Sequence, residues 1–343
     1  MFEKLAVLGV GAIGSNIGGY LTRAGRDITL IDMWPAHVEE MKRRGLKVTA
    51  QDEEFTVKVK AVHLADVCSL HEQFDAVFLS VKSYDSVWAT EFIRPYLKPA
   101  GVVVSAQNSI NEDLVAPVIG YSRTIGCVVT IGAGLYEPGH VLRTIASSRP
   151  SFEGGELNGM LTPRVQELVV VLSPAGPTHA TANLWGDRWA KLTVNSMANA
   201  LAGITGMNNA EMRDSPDVFS ITVKVASEAV SVAQTLGVQV EPISGIPAKA
   251  YLDAVRGVGL EELRNKWVEG GRAVGTGRPS LLQDVMKGRR TEVDYLNGYV
   301  ARKGQQVGVP TPMNEALVDV THRVESGELK QGPANLKLLT KHL

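Results

Sequence analysis

Three polar side chains recur at four-residue spacing in an otherwise apolar stretch of the second half of the chain. Lys191, Asn195 and Asn199 share one face if this stretch is a helix, because residues four apart lie one turn above another. Their neighbours include Leu192 and Met197. An ammonium and two carboxamides beside apolar surface need hydrogen-bonding partners, and a lysine is seldom buried without compensation. The stripe therefore indicates a polar site on this helix; the alternative is a solvated face with two ordinary asparagines.

A second pattern with a chemical use is a glycine-rich turn near the N-terminus, between a short apolar strand and a helix. Its residues are Gly9, Val10, Gly11, Ala12, Ile13 and Gly14. Gly9 makes the turn, Gly11 lets a pyrophosphate approach the backbone, and Gly14 lets the helix lie close to the strand. Asp32 ends the next apolar strand. This combination predicts a dinucleotide-binding unit with the phosphates at a helix N-terminus; the alternative is a structural glycine turn in an ordinary α/β domain.

A third set of residues lies in two polar runs near the C-terminus. Residues 279–284 follow the pattern Pro-Ser-x-Leu-Gln-Asp, and residues 291–298 follow Thr-Glu-x-Asp-Tyr-x-Asn-Gly. Together with the glycine turn and the Trp-x-Lys-Leu-x-x-Asn-x-x-x-Asn helix that begins at Trp189, these runs resemble the ketopantoate reductase family. The resemblance covers nearly the full chain, from Phe2 to Pro312, and the C-terminal runs are its most specific part.

The resemblance implies the reduction of a 2-oxo acid, in which hydride reaches the carbonyl carbon and a proton reaches its oxygen. Lys191 matches the family's general acid, since an ammonium stabilises the developing oxyanion before protonating it. Glu292 matches the glutamate that holds the substrate hydroxyl and positions the lysine; without the resemblance it would be an exposed helix charge. Ser280 matches the serine that hydrogen-bonds the substrate carboxylate. The other implied substrate-binding residues are Asn195, Asn199 and Asn209, with Asn208 as the neighbouring alternative to Asn209.

On the cofactor side, the resemblance places Asn108 near the nicotinamide ribose and carboxamide, and Lys82 near the adenosine phosphate or the closing cleft. The alternatives are a strand-end turn residue and a solvated lysine. Where the family commonly carries a basic or small polar residue that receives the 2′-phosphate of NADP, this chain has Asp32. A carboxylate accepts hydrogen bonds from free ribose hydroxyls and repels an added phosphate. We therefore expect NAD rather than NADP, although Lys82 argues in the opposite direction.

A second departure from the family lies in the loop that follows Asn108. The family usually continues Asn-Gly-x-Gly, whereas this chain has Ser109 and Asn111 at the two glycine positions. Side chains therefore stand on a loop near the expected nicotinamide, and the substrate pocket is expected to be reshaped. This departure leaves open whether ketopantoate itself is the substrate.

Composition limits the classes of function. A chain of 343 residues with 44% hydrophobic content has material for two cores. Its 35 Lys and Arg against 36 Asp and Glu give no global field for nucleic acid or a membrane surface. The two cysteines, Cys68 and Cys127, have no metal or disulfide spacing, and the histidines are scattered. No apolar run approaches the roughly 18 residues of a membrane span. We expect a cytoplasmic protein without a metal, a membrane contact or a nucleic-acid partner.

Periodicity places these residues in two domains. The predicted elements are strands at 74–81, 101–105, 124–131, 140–145 and 167–172, and helices at 83–97, 190–204 and 218–236, with a breaker-rich junction at 173–177. The first half should mix parallel and antiparallel strands. We predict an α/β N-terminal Rossmann domain over residues 1–178. An all-α C-terminal domain over residues 179–343 should be like that of 6-phosphogluconate dehydrogenase.

The expected function is an oxidoreductase that interconverts a 2-oxo acid and a 2-hydroxy acid in the cleft between the domains. The substrate would be 2-dehydropantoate, as in pantothenate biosynthesis, or a close analogue. One alternative is a dehydrogenase of a bulkier D-2-hydroxy acid or alcohol in catabolism, which the altered loop favours. Another is a catalytically silent NAD-binding sensor, against which the joint presence of Lys191, Ser280 and Glu292 argues. The physiological direction stays open, and the helical domain could supply a homodimer interface.

Overall fold

The computed structural model describes residues 2–274 and 277–343, which separate into two compact units. The first unit ends at Leu184 and the second begins at Trp185. The boundary expected after residue 178 falls at the start of a strand, Thr178–Ala180, that pairs within the first unit's sheet. The breaker-rich segment 173–177 also lies inside the first unit, where Ser173–Ala175 forms a 3₁₀ turn.

The first unit is an α/β structure. Its strands are β1 (Lys4–Leu8), β2 (Asp27–Asp32), β3 (Leu46–Thr49), β4 (Glu54–Val57), β5 (Lys60–His63), β6 (Phe74–Leu79), β7 (Leu97–Ser105), β8 (Thr124–Val129), β9 (Ala133–Glu137), β10 (His140–Arg143), β11 (Phe152–Glu156) and β12 (Thr178–Ala180). Its helices are α1 (Ala12–Arg23), α2 (Pro35–Arg44), α3 (Ser86–Ile93), α4 (Glu112–Ile119) and α5 (Pro163–Leu172). The helix expected at 83–97 is α3 flanked by two 3₁₀ turns, Ser83–Asp85 and Arg94–Tyr96.

Most strands form one eight-stranded sheet in the order β12-β11-β8-β7-β6-β1-β2-β5. The pairs β1–β2, β1–β6 and β6–β7 are parallel, whereas β11 runs antiparallel to β8, so the expected mixture is confirmed. The chain order reverses between β1 and β6, which is where open α/β sheets bind ligands beyond the carboxyl ends of their strands. A second sheet, β4-β3-β10-β9, was not predicted as such, although its strand β10 lies within the strand expected at 140–145; β3 and β4 are short and only partly buried.

The strand predicted at 167–172 is wrong, because these residues complete helix α5. Thr162 caps the helix by accepting the N–H of Val165, and Pro163 takes the first helical position, where its missing donor costs nothing. Leu168 and Val171 are buried while Val170 is exposed. A short run of β-branched residues fits a buried strand or one side of a helix equally well, and here the cap decides the outcome.

The second unit is helical, as expected. Its helices are α6 (Leu184–Thr205), α7 (Asn209–Asp214), α8 (Pro216–Thr235), α9 (Ala248–Ala254), α10 (Leu260–Val274), α11 (Ser280–Met286), α12 (Asn297–Val307) and α13 (Pro312–Glu325). The two long helices predicted from periodicity are confirmed as parts of α6 and α8. None of the helices within residues 2–274 and 277–343 has the length and apolar character needed to cross a membrane.

A buried polar network fixes α6 against its neighbours. The Asn297 amide donates to the carbonyl oxygen of Ser196 in α6 at 3.1 Å and to Asn314 Oδ1 at 3.0 Å. The Asn314 amide in turn donates to Glu228 Oε2 at 2.8 Å, and Glu228 also accepts the N–H of Met313. Burial raises the pKa of Glu228, and the hydrogen bonds from Asn314 oppose that shift. The network joins α6, α8, α12 and α13, so it holds in place the helix that carries Lys191.

Candidate active site

The glycine turn has two positions at which the fold itself admits no side chain. Gly9 has φ +91°, a backbone conformation that favours glycine, and a Cβ there would lie 2.7 Å from the nitrogen of Val81. A Cβ on Gly14 would lie 2.1 Å from the carbonyl oxygen of Gly9. The turn therefore packs tightly against the start of α1, as predicted for Gly14, and against the segment that follows β6, which was not predicted.

Gly11 is different, because a Cβ placed on it meets no described atom within 4 Å. Its φ of −69° suits any residue, and it caps α1 without a side-chain hydrogen bond. Ala12 and Ile13 then begin the helix. The space over Gly11 lies at a helix N-terminus, where N–H groups and the helix dipole favour an anion. The turn thus fits a pyrophosphate in its chemistry and in the room that it leaves.

Asp32 joins this turn to the end of β2. Its Oδ2 accepts the N–H of Val10 at 2.6 Å, and its Oδ1 accepts the N–H of Trp34 at 2.8 Å. A carboxylate offers about four acceptor sites, so both oxygens keep lone pairs for further donors such as ribose hydroxyls. Asp32, which is predicted to bind the cofactor, therefore also holds the glycine turn to the end of β2.

His37 contacts the glycine turn through Ser15. Nothing in the sequence indicated this role. Its Nδ1 accepts the N–H of Gly139 at 2.8 Å, so the proton of the neutral ring lies on Nε2, which faces Ser15 Oγ at 3.4 Å. Ser15 donates to the carbonyl oxygen of Val10 at 2.9 Å. Burial lowers the pKa of His37, and the charge of Asp32 opposes this shift. A lone histidine on a short helix gives no sequence signal, because its partner Gly139 lies 102 residues away.

The loop after β7 takes the strained conformation that a glycine would adopt freely. Ser109 is buried and has φ +71°, which costs a non-glycine residue roughly 1 kcal/mol or more. Asn111 has φ −94°, so its side chain is free of that strain. Its amide donates to the carbonyl oxygen of Asn108 at 2.7 Å and to Ser83 Oγ at 3.1 Å. The two residues at the family's glycine positions therefore shape and brace the loop that carries Asn108.

Lys82 lies at the same edge of the sheet. It is half-buried and precedes the 3₁₀ turn Ser83–Asp85 at the end of β6. The Gln107 side chain donates to the carbonyl oxygen of Val81 at 2.9 Å and so ties this segment to the end of β7. The structure thus brings the glycine turn, Asp32, Lys82 and Asn108 to the carboxyl ends of four neighbouring strands.

In the second unit, Lys191 lies on α6 with its side chain only partly accessible. Desolvation by the surrounding protein lowers the pKa of its ammonium. Within residues 2–274 and 277–343, Lys191 Nζ makes no hydrogen bond or ion pair. An amine in such surroundings gives up its proton more readily than a solvated lysine does.

Ser280 lies against the same face of α6. The Asn199 Oδ1 atom accepts the hydroxyl of Ser280 at 2.9 Å and the N–H of Leu281 at 3.2 Å. Asn195 is buried one turn before Asn199, between it and Lys191. The polar stripe is therefore partly covered by the start of α11, so the solvated-face alternative fails for Asn195 and Asn199.

The structure also distinguishes Asn208 from Asn209. Asn208 is the N-cap of α7, and its side-chain oxygen accepts the N–H groups of Ala210 at 2.9 Å and Glu211 at 3.1 Å. Asn209 donates its backbone N–H to the carbonyl oxygen of Gly277 at 3.1 Å, close in sequence to Ser280. The Asn208 side-chain oxygen is therefore engaged in the helix cap, and Asn209 stays the predicted substrate residue.

Glu292 is buried, which corrects the expectation from its residue type alone that it would be an exposed helix charge. It precedes the 3₁₀ turn Val293–Tyr295, and its carbonyl oxygen accepts the N–H groups of Tyr295 and Leu296. Among the described residues there is no group of three or more histidine, cysteine or acidic side chains that could hold a metal ion. Lys191, Glu292, Ser280 and the asparagines remain the predicted site residues of this unit.

Comparisons with known proteins match both units. The model of the family "Ketopantoate reductase PanE/ApbA" matches residues 5–152, and that of its C-terminal part matches residues 183–325. A 2-dehydropantoate 2-reductase from Pyrococcus horikoshii is 31% identical over 94% of this chain and 98% of that protein. The structure of D-mandelate dehydrogenase with NADH and anilino(oxo)acetate is 26% identical, with a TM-score of 0.81, over 94% of this chain and 99% of the other. A PanE/ApbA family ketopantoate reductase from Ralstonia eutropha is 27% identical, with a TM-score of 0.77, over 95% and 99%.

The glycine turn generates a paired prediction. We expect Gly14→Ala to lower the melting temperature, because its methyl group collides with the Gly9 carbonyl oxygen. Gly11→Ala should melt like the wild type, since its methyl group has room, yet weaken the binding of NAD(H) by roughly 10-fold or more by occupying the pyrophosphate's space. Differential scanning fluorimetry and cofactor titration measure both effects. Unchanged cofactor affinity in Gly11→Ala would contradict the assignment of the turn.

Proposed function

Because this chain belongs to the ketopantoate reductase family, we propose that it reduces a 2-oxo acid to a 2-hydroxy acid with Lys191 as the proton donor. The chain is an oxidoreductase that acts on CH–OH groups with a nicotinamide cofactor. The observation that carries the finer proposal is a desolvated lysine on the same helix face as Asn195 and Asn199, with Ser280 docked against that face. A catalytically silent NAD-binding sensor would need neither a proton donor nor the polar groups beside it.

The residues of the second unit supply the steps around the carbonyl group. A reduced nicotinamide, when bound, supplies the hydride. The Lys191 ammonium stabilises the negative charge that develops on the substrate oxygen and then donates its proton to that oxygen. A lowered pKa suits this task, because proton transfer is most efficient when the donor's pKa lies near the working pH. Glu292 is assigned to the substrate hydroxyl and to the orientation of Lys191.

Ser280 and the asparagines are assigned to substrate binding. The Ser280 hydroxyl donates to Asn199 in the structure and can rotate to donate to a substrate carboxylate instead. Asn199 stays in place during that exchange, since the N–H of Leu281 continues to hold its oxygen. Asn195 and Asn209 are the further candidates for polar contacts with the substrate. We accordingly assign nucleotide binding to the first unit and substrate binding to the second.

For the cofactor, we propose NAD rather than NADP. Asp32 places a carboxylate at the end of β2, and its hydrogen bonds to Val10 and Trp34 fix it there. A fixed carboxylate favours free ribose hydroxyls and repels a 2′-phosphate. The structurally similar D-mandelate dehydrogenase was solved with NADH, which agrees with this choice.

Two substrates compete within the proposal. The relatives named 2-dehydropantoate 2-reductase favour 2-dehydropantoate. The braced loop around Ser109 and Asn111, together with the similarity to D-mandelate dehydrogenase, favours a bulkier D-2-hydroxy acid as the second candidate. A panel of NADH and NADPH oxidation with 2-dehydropantoate and phenylglyoxylate, and of the reverse reaction with pantoate and D-mandelate, separates them. Turnover of none of these substrates by a cofactor-binding protein would favour the silent sensor.

The first prediction concerns Lys191. We expect Lys191→Met to lower kcat by roughly 10²-fold or more and to leave NAD(H) affinity nearly unchanged, because the lysine acts on the substrate oxygen. In the wild type, kcat of reduction should fall as the pH rises through the lowered pKa of Lys191, since the donor must be protonated. The oxidation rate should rise over the same interval. Lys337→Met, at an exposed lysine of the same unit, is the control. A wild-type kcat in Lys191→Met would exclude this residue as the proton donor.

The second prediction concerns cofactor choice. We expect Asp32→Ser to raise the affinity for NADPH relative to NADH by roughly 10-fold or more, because it removes a carboxylate that repels the 2′-phosphate. Asp27→Ser, at an exposed carboxylate on the same strand, is the matched control. Dissociation constants of both cofactors, measured by nucleotide fluorescence, decide the outcome. Tighter binding of NADPH than of NADH by the wild type would show that Lys82 and its surroundings outweigh Asp32.

A further inference from the structure

The segment that carries Glu292 is fastened to α13 by a histidine and a glutamate, His322 and Glu325. We propose that His322 is a positioning residue that clamps residues 291–294, and with them Glu292, and that it releases the clamp as the pH rises. The proposal goes beyond the proposed function by adding a regulated position for Glu292, and its functional consequence rests on that proposed function. The clamp itself rests only on contacts within the second unit.

His322 lies between two carboxylates. Its Nε2 is 2.8 Å from Asp294 Oδ1, and its Nδ1 is 3.0 Å from Glu325 Oε2. Both partners are acceptors, so the ring can satisfy both only when both nitrogens carry a proton. A neutral imidazole has one N–H group and therefore loses one of the two bonds. The geometry accordingly fits the imidazolium form.

The two carboxylates reach the backbone on both sides of Glu292. Asp294 lies two residues after it, and the other oxygen of Glu325, Oε1, accepts the N–H of Thr291 at 2.7 Å. His322 thus ties one flank directly and orients the carboxylate that holds the other. Loss of either bond loosens one flank of a residue that is buried and must be held in a single orientation to act.

The remaining charges around the ring do not replace this clamp. In the described residues, the charged groups Arg290 and Arg302 contact Asp294, and Arg323 follows His322 on α13. Arg290 lies 3.6 Å from Asp294 Oδ2, and Arg302 donates to the carbonyl oxygen of Asp294 at 2.7 Å. Arg323 pairs with Asp319 and Glu328. These contacts support Asp294, but within the described residues only His322 is found bridging it to Glu325.

The direction of the pH effect follows from the two carboxylates. Burial opposes protonation of His322, but the hydrogen bonds and charges of Asp294 and Glu325 outweigh it and raise its pKa above 6.5. A raised pKa in the folded state means that the clamp is complete below the ordinary value and is lost as the pH rises through the folded value. The segment around Glu292 should therefore loosen as the pH rises above the ordinary histidine range and through the raised pKa of His322.

Kinetics in both directions separate this clamp from the proton donor. Loss of the clamp should lower kcat with rising pH in reduction and in oxidation alike, whereas titration of Lys191 has opposite signs in the two directions. At a pH below the pKa of the His322 ring, His322→Gln should lower kcat by roughly 3- to 30-fold, with a smaller change in KM, and it should abolish the inflection that both directions share. His342→Gln, at the other histidine of this unit, should keep the wild-type profile. A His322→Gln enzyme with an unchanged profile would overturn the proposal.

Nuclear magnetic resonance gives a readout that is independent of catalysis. In the wild type, the amide signals of residues 291–296 should shift with the same pKa as the His322 ring, and in His322→Gln they should not titrate in this range. This result would stand even if Lys191 proved not to be the proton donor. Titration of the ring without any response in residues 291–296 would contradict the clamp while leaving the proposed function untouched.

Discussion

Taking the ammonium group of a lysine out of water costs free energy, and the second unit imposes this cost on Lys191. Desolvation lowers the pKa of Lys191, which lies on a helix held from several sides. Asn199 binds the start of α11, and Asn297 holds the Ser196 carbonyl oxygen. These contacts fix the backbone position from which the amine is presented, and the protein around the amine keeps it partly from water and lowers its pKa.

In the first unit, the corresponding constraint is a glycine turn that leaves room for an anion. Gly9 and Gly14 are demanded by the chain's own packing, whereas Gly11 leaves room above the helix N-terminus. Asp32 and His37 brace this turn from two sides, one through its carboxylate and one through Ser15. The residues assigned to ligands in both units are thus held by further contacts within the protein, some of them from residues with no ligand assigned, such as His37 and Asn297.

Sequence patterns correctly predicted those parts of the fold that depend on residues close together in the chain. The glycine turn, the parallel strands beside it and helix α6 followed from spacing and apolar periodicity, whereas 167–172 did not, because its β-branched run hides a capped helix. The long-range contacts that hold the site residues in place could not be predicted from the sequence, for a different reason. His37 meets Gly139 and Ser280 meets Asn199 across 102 and 81 residues, and nothing in the neighbourhood of either residue marks such a contact. Glu292 entered only through a family resemblance, since its burial depends on tertiary packing.

Direct titration of Lys191 tests the central claim most closely. Side-chain signals of labelled lysines, with the Lys191 signal assigned by its absence from Lys191→Met, report the pKa of this one amine by nuclear magnetic resonance. The account predicts that burial places the pKa of Lys191 clearly below 10.5, the ordinary value for lysine. A Lys191 that titrates at or above 10.5 would contradict the account, because the amine would then be solvated or paired rather than poised as a proton donor.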